Sequence, residues 1–178
     1  MSCEIDSTTV ADRDEQYCSI LNRELVCALG CTEPIAVAYA AAIARETLGS
    51  EPEHLELECS GNIIKNVKSV TVPNSGGMHG LEAAATLGAV GGNPENALEV
   101  LESVDDAARA RTAELLADPA FADVSLAENV PNLYIRVKAR SEEHTADIII
   151  SDHHTNVVWR ALDDQKLSGS WDAPECAA

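Results

Sequence analysis

LVCALGCTEPIAVAYAAA, residues 25–42, sets two apolar helical stretches on either side of one thiol, and its reading decides the fold. Ahead of that thiol Ile20, Leu21, Leu25, Val26 and Leu29 recur at helical spacing, and Gly30 is the residue expected just past a helix end. Thr32 reads as the N-cap of the next helix. Glu33 and Pro34 fall in its first turn, where a missing amide proton costs little and a carboxylate suits the helix dipole. Cys31 therefore stands at a sharp junction facing unpaired backbone donors, a place that favours its thiolate.

Working outward, the spacing predicts helices over 14–29 and 33–48, the second stopped by Gly49, Ser50 and Pro52. HLELEC, 54–59, alternates apolar with polar and reads as a strand. A second extended piece, 67–72, is ended by Pro73. The turn PNSGG leads into an alanine-rich helix over 81–90, followed by a short helix over 95–102 and a longer one over 105–117 with Asp at its start. Strands are expected at 133–139, 145–151 and 156–161. Helices first and strands later predict an α+β fold, with helices packed on a small, mostly antiparallel sheet rather than a doubly wound one. Residues 1–12 read as a disordered acidic tail, 13–162 as the folded domain, and 163–178, where periodicity is lost, as a loose C-terminal tail.

A chain of 178 residues is long enough for a substantial apolar core. Aromatic residues are only 3%, so that core must be built from Ala, Val, Leu and Ile, and much alanine lets helices approach closely. The net charge of -18 argues against a polyanion such as nucleic acid as partner. With four lysines against eight arginines, the dense carboxylates fit a salt-rich cytoplasm, where salt screens their mutual repulsion; an ordinary acidic cytosolic protein is the alternative. No charge-free apolar run long enough for a membrane span occurs, and the first fifteen residues are polar and acidic, so a cytoplasmic location is expected. The six cysteines then read as reduced thiols.

Several side chains could carry chemistry, each with a plain structural alternative. Cys31 could be a metal ligand or a small hydrophobe at a helix junction. SGNIIKN supplies Ser60, Asn62, Lys65 and Asn66, donors able to hold a carboxylate, but equally the residues of a strand end and turn. His154, beside His153 and followed by Thr155 and Asn156, could act as acid, base or ligand at a strand edge, or belong to a solvated pair. Glu33 could be a general base or a helix-starting carboxylate. The PNSGG turn could cradle an anion with its amides.

Three blocks, GCTEPIAVAYAAA, the stretch from SGNIIKN to GGNPENALEVL, and SDHHTNVV, resemble in order and spacing the iron-sulfur-dependent L-cysteine desulfidases, a family similar in turn to the alpha subunit of iron-sulfur L-serine dehydratases. The resemblance runs over about residues 21–162 and implies that the chain is the N-terminal portion of a larger family fold, or a subunit. It implies a lyase that removes sulfide from L-cysteine, or water from L-serine, giving pyruvate and ammonia. It makes Cys31 a ligand of a 4Fe-4S cluster and places Ser60, Asn62, Lys65, Asn66, Thr155 and Asn156 around a small amino-acid substrate, with Glu33, Lys65 or His154 as acid or base. Asn74 and Ser75 depart from the family's usual glycine and threonine after the proline.

A cluster needs about three or four protein thiolates, and the family's others lie in a C-terminal half that this sequence does not contain. The resemblance therefore calls for a second polypeptide, with a homo-oligomer also open, and leaves catalysis by this chain alone undecided. The other class of reading is an inactive truncated fragment, or a non-catalytic domain that binds a small amino acid or an interaction partner.

The charge balance gives the first testable outcome. If the surface is salt-adapted, the melting temperature followed by circular dichroism falls steeply as potassium chloride is diluted out. A chain that stays equally stable in dilute buffer contradicts that reading.

Overall fold

The computed structural model describes residues 7–25 and 27–171. Helix α1, Ser7–Glu24, comes first. Helix α2, Thr32–Leu48, follows the junction and ends on Gly49, whose φ of 80° is the left-handed cap that glycine adopts without strain; its N–H donates to the Arg45 carbonyl. Then come strand β1, His54–Ser60, and the short helix α3, Gly61–Val67. Helix α4, Gly80–Gly91, a 3-10 segment at Pro94–Glu99, and helix α5, Asp106–Leu115, complete the helical part. Five strands follow: β2 Ala122–Ala127, β3 Tyr134–Arg140, β4 Thr145–Ser151, β5 Val157–Leu162 and β6 Gln165–Gly169.

The strands form one sheet in the order β2-β1-β3-β4-β5-β6. Only β1 and β2 run parallel; the other neighbours are antiparallel. This is the α+β arrangement read from the sequence. Alternation puts Leu55, Leu57 and Cys59 of β1, Ile135, Val137 and Ala139 of β3, and Ala146, Ile148 and Ile150 of β4 on one buried face. Helix α2 covers that face, α4 packs on α2, and α5 packs on α4.

The α2 and α4 sequences explain their closeness. Ala36, Ala38, Ala40, Ala41, Ala42 and Ala44 are fully buried on α2, as are Ala84 and Ala85 on α4. A Cβ at Gly88 would fall inside the Ala38 carbonyl, so the two backbones touch where glycine stands. The opposite sheet face is charged: Arg136 grips Asp147 with two bonds of 2.9 and 2.8 Å, and Arg140 meets Glu56 at 2.7 Å. A small second apolar cluster of Ala127, Tyr134 and Ile149 lies there under Trp159 and Trp171.

The structure departs from the sequence reading at α1, at residues 61–72, at 95–102, where the expected helix is the 3-10 segment, and at β2 and β6. Helix α1 stops at Glu24 rather than running to Leu29, and it begins at Ser7, inside the stretch expected to be disordered; residues 1–6 and Val26 lie outside the described residues. Residues 61–67 are helical and the strand expected at 67–72 does not form. Ser60 caps α3 by accepting the Ile63 N–H, burying Ile63 and Val67 one turn apart, and only Thr71 keeps a bridge, to His79. Strand β2 was not expected, because as an edge strand it leaves Ser125 and Leu126 exposed and breaks the alternation. The tail expected from 163 is strand β6 as far as Gly169; Asp163 and Asp164, at φ 50° and 62°, make the two-residue turn that returns it to β5. Among the described residues Cys18, Cys27, Cys31 and Cys59 are free; Cys3 and Cys176 lie outside the described residues.

The contact between Gly88 and Ala38 predicts the effect of one methyl group. Gly88→Ala should destabilise the fold by roughly 1–3 kcal/mol or more through overpacking against backbone. Chemical denaturation measures it, and an unchanged midpoint would contradict the packing.

Candidate functional site

The C-terminal ends of β1 and β4 and the start of β5 lie at one end of the sheet, and the N-terminus of α2 reaches the same end. There Cys31, not Thr32, is the residue before the helix, with extended backbone angles of φ -61° and ψ 125°. Its side chain caps no amide. The thiol instead donates to Glu33 Oε2 at 3.2 Å, which Thr32 Oγ1 also approaches at 3.3 Å. Asn66 Nδ2 reaches across from α3 to Glu33 Oε1 at 3.3 Å. One carboxylate thus gathers three side-chain donors from two helices.

Electrostatics follow from that gathering. Burial alone would raise the Glu33 carboxyl, but the Cys31 hydrogen bond, its own backbone amide, the nearby His154 and Thr32 together hold it below the ordinary value. The Cys31 thiol moves the other way: desolvation raises it first, and the hydrogen bond to Glu33 adds to the effect. The expectation of a favoured thiolate at the helix start is therefore corrected, because desolvation, helped by the neighbouring carboxylate, outweighs the backbone amide. Burial depresses His154, with His153 adding to the depression and Glu33 opposing it. The site presents one anion, one neutral thiol and one imidazole biased toward its neutral form. The buried thiol of Cys59 is a core group, pushed up to about 12 by burial.

Other residues named from the sequence have separate fates. Ser60 is buried and consumed: its hydroxyl donates to the Asn132 carbonyl at 2.6 Å while accepting the α3 amide. Asn62 and Lys65 stay exposed on α3, on the helix that carries Asn66. Thr155 is exposed, and Asn156 closes the turn between β4 and β5 by donating Nδ2 to the Ser151 carbonyl at 2.9 Å. The PNSGG turn is structural. Asn74, at φ 55°, donates to the Leu101 and Val104 carbonyls at 2.7 and 3.1 Å, and Arg109 donates to its Oδ1 and carbonyl at 3.0 Å each. The link from Asn66 to Glu33 was missed, since no local pattern joins residues 33 positions apart.

Among the described residues, no three or more His, Cys, Asp or Glu side chains come together as a metal-holding group. The thiol of Cys31 is engaged with Glu33. No described helix is long and apolar enough to cross a membrane.

No family model matches the chain, and no solved structure matches it. Curated relatives do. A UPF0597 protein of Finegoldia magna is 50% identical over 154 residues, which is 86% of this chain and 37% of the relative. A UPF0597 protein of Treponema denticola is 43% identical over 153 residues, 86% of the chain and 35% of the relative. One from Desulfitobacterium hafniense is 40% identical over 158 residues, 89% and 36% respectively. The chain thus spans little more than a third of the length of these relatives. Their name states no activity, and it replaces the resemblance to iron-sulfur L-cysteine desulfidases and L-serine dehydratases. The lyase function and the iron-sulfur assignment drawn from that resemblance fall with it.

The hydrogen bond between Cys31 and Glu33 predicts a pH profile. A raised thiol keeps its proton to higher pH, so alkylation of Cys31 by iodoacetamide, resolved by peptide mass spectrometry, should reach half its maximal rate above the ordinary thiol value. Glu33→Gln should move that midpoint down. A wild-type midpoint at or below the ordinary value contradicts the assignment.

Proposed function

We propose that the sheet end around Glu33 is one wall of a binding site for a small molecule bearing an ammonium group, a small amino acid being the simplest case, and that the chain serves as a non-catalytic binding domain. The Glu33 carboxylate carries this reading. It stays ionised although partly withdrawn from water, and its donors fix its direction. An ammonium group would meet it through charge-assisted hydrogen bonds, about twice as strong as neutral ones.

The rest of the cluster suits a zwitterion. Asn62 and Lys65 on α3 and Thr155 on the β4–β5 turn supply exposed donors for a carboxylate end. His154, biased toward neutrality, adds no cation to compete with the ammonium. The protonated Cys31 is a poor nucleophile, which favours binding over covalent chemistry at this place.

Isothermal titration calorimetry with L-serine, L-cysteine and L-alanine, set beside lactate and 3-mercaptopropionate, tests it. The amino acids should bind and the acids lacking the amine should not. Glu33→Gln should weaken binding about 10–100-fold, as expected for one charge-assisted hydrogen bond, with an unchanged circular dichroism spectrum. Equal heats from the amine-free acids, or none from any amino acid at millimolar concentration, overturn the reading.

A further inference from the structure

Helix α1 is two-faced and uncovered. Tyr17, Ile20 and Leu21 share one side, and Leu25, whose N–H donates to the Leu21 carbonyl at 2.8 Å, extends it by a turn. These four side chains are 57, 47, 52 and 73% exposed, and every described side chain of α1 is exposed. Glu15 and Ser19 lie on the opposite side, and the charged Arg13 and Asp14 bound the stripe at its N-terminal end. An amphipathic helix ordinarily buries its apolar stripe, and a free helix of 18 residues is marginal in water. The stripe therefore calls for cover that the described sheet and helices do not give.

The relatives indicate what the cover is. The chain matches only 35 to 37% of the length of the Finegoldia magna, Treponema denticola and Desulfitobacterium hafniense proteins, so each carries a larger segment beyond the shared part. We propose that the apolar side of α1 is the docking surface for a polypeptide segment of the kind that makes up the remainder of these relatives. Such a segment is seated on Tyr17, Ile20, Leu21 and Leu25. Leu29, whose N–H donates to the Leu98 carbonyl at 3.1 Å, ties the end of this surface to the body of the domain, next to Gly30 and the Cys31 junction. This inference does not rest on ligand binding at Glu33.

Cys18 is the natural reporter, exposed and lying beside Tyr17 and one turn before Leu21. The partner is made from the Finegoldia magna relative in two forms: its segment outside the match, added in trans to the full chain, and a chimera in which the full chain replaces the matched part. Maleimide labelling of Cys18, resolved by peptide mass spectrometry, should slow by at least about tenfold in one or both forms relative to the chain alone. Leu21→Asp, on an exposed position that leaves the chain's fold intact by circular dichroism, should restore the fast rate. Unchanged labelling in both forms overturns the proposal. Protection that grows with the concentration of the chain alone assigns the stripe to a second copy, and protection only on lipid vesicles assigns it to a membrane surface; either overturns it as well. Because the readout does not involve Glu33, its failure leaves the ligand reading standing, and failure of the calorimetry leaves this one.

Discussion

The contact between the backbones of α2 and α4 at Ala38 and Gly88 is the constraint on which the rest of the structure hangs. With aromatic residues at 3%, bulk cannot fill this core, and the chain fills it by closeness instead. Alanines along α2 let that helix lie flat between the sheet and α4, and the absence of a side chain at Gly88 removes the last obstacle. A helix held on both sides cannot slide along its axis. Its N-terminus, with Cys31 and Glu33, is therefore delivered to the sheet end where Ser60 closes β1 and Ser151 closes β4.

That delivery determines the chemistry of the junction. A cysteine before a helix faces free amides and ordinarily drifts toward its thiolate. Here the carboxylate two residues on is the nearer influence, and it takes the proton of the thiol as a hydrogen bond. The pair shares one negative charge, and that charge resides on Glu33 because Asn66 and Thr32 also donate to it there. Removing the carboxylate's charge would return the thiol to the influence of the helix amides, so the two residues act as one unit rather than as separate sites.

The elements legible in the sequence are those with a local pattern or a terminal signal of their own. Strands β1 and β3 alternate and β4 carries an apolar run, while Gly49 ends α2 and the Asp105 cap starts α5, so their places are readable from local pattern. Strand β6 is invisible for a physical reason: all five of its residues are exposed, and it joins the sheet through β5 alone. Helix α3 hides because Val67, Val70 and Val72 mimic a strand, while the deciding event is a serine cap whose hydroxyl also bonds a carbonyl 72 positions away. At the site, Cys31, Glu33, Asn66 and His154 are each recognisable as chemistry-bearing residue types. Their meeting is set by sheet order, which no short-range pattern contains. Shared motif blocks also misled, since they encode the junction's scaffold, whereas the activity attached to them came from the resemblance.

The junction and the uncovered helix are physically coupled. Gly30 lies so close to Pro73 that a Cβ there would stand 3.0 Å from the proline ring, and Leu29 is tied by its amide to the Leu98 carbonyl. The link between α1 and α2 is thus pinned to the domain on both sides of its bend. Cys31 follows Leu25 by six residues, so a docked segment that extended from Tyr17, Leu21 and Leu25 past Leu29 would come to cover the thiol. Covering it would withdraw more water from the thiol and the carboxylate together. Desolvation disfavours charge on both, while the hydrogen bond between them strengthens as the local dielectric falls. Docking that reached the bend would then tighten the Cys31–Glu33 pair without changing either residue.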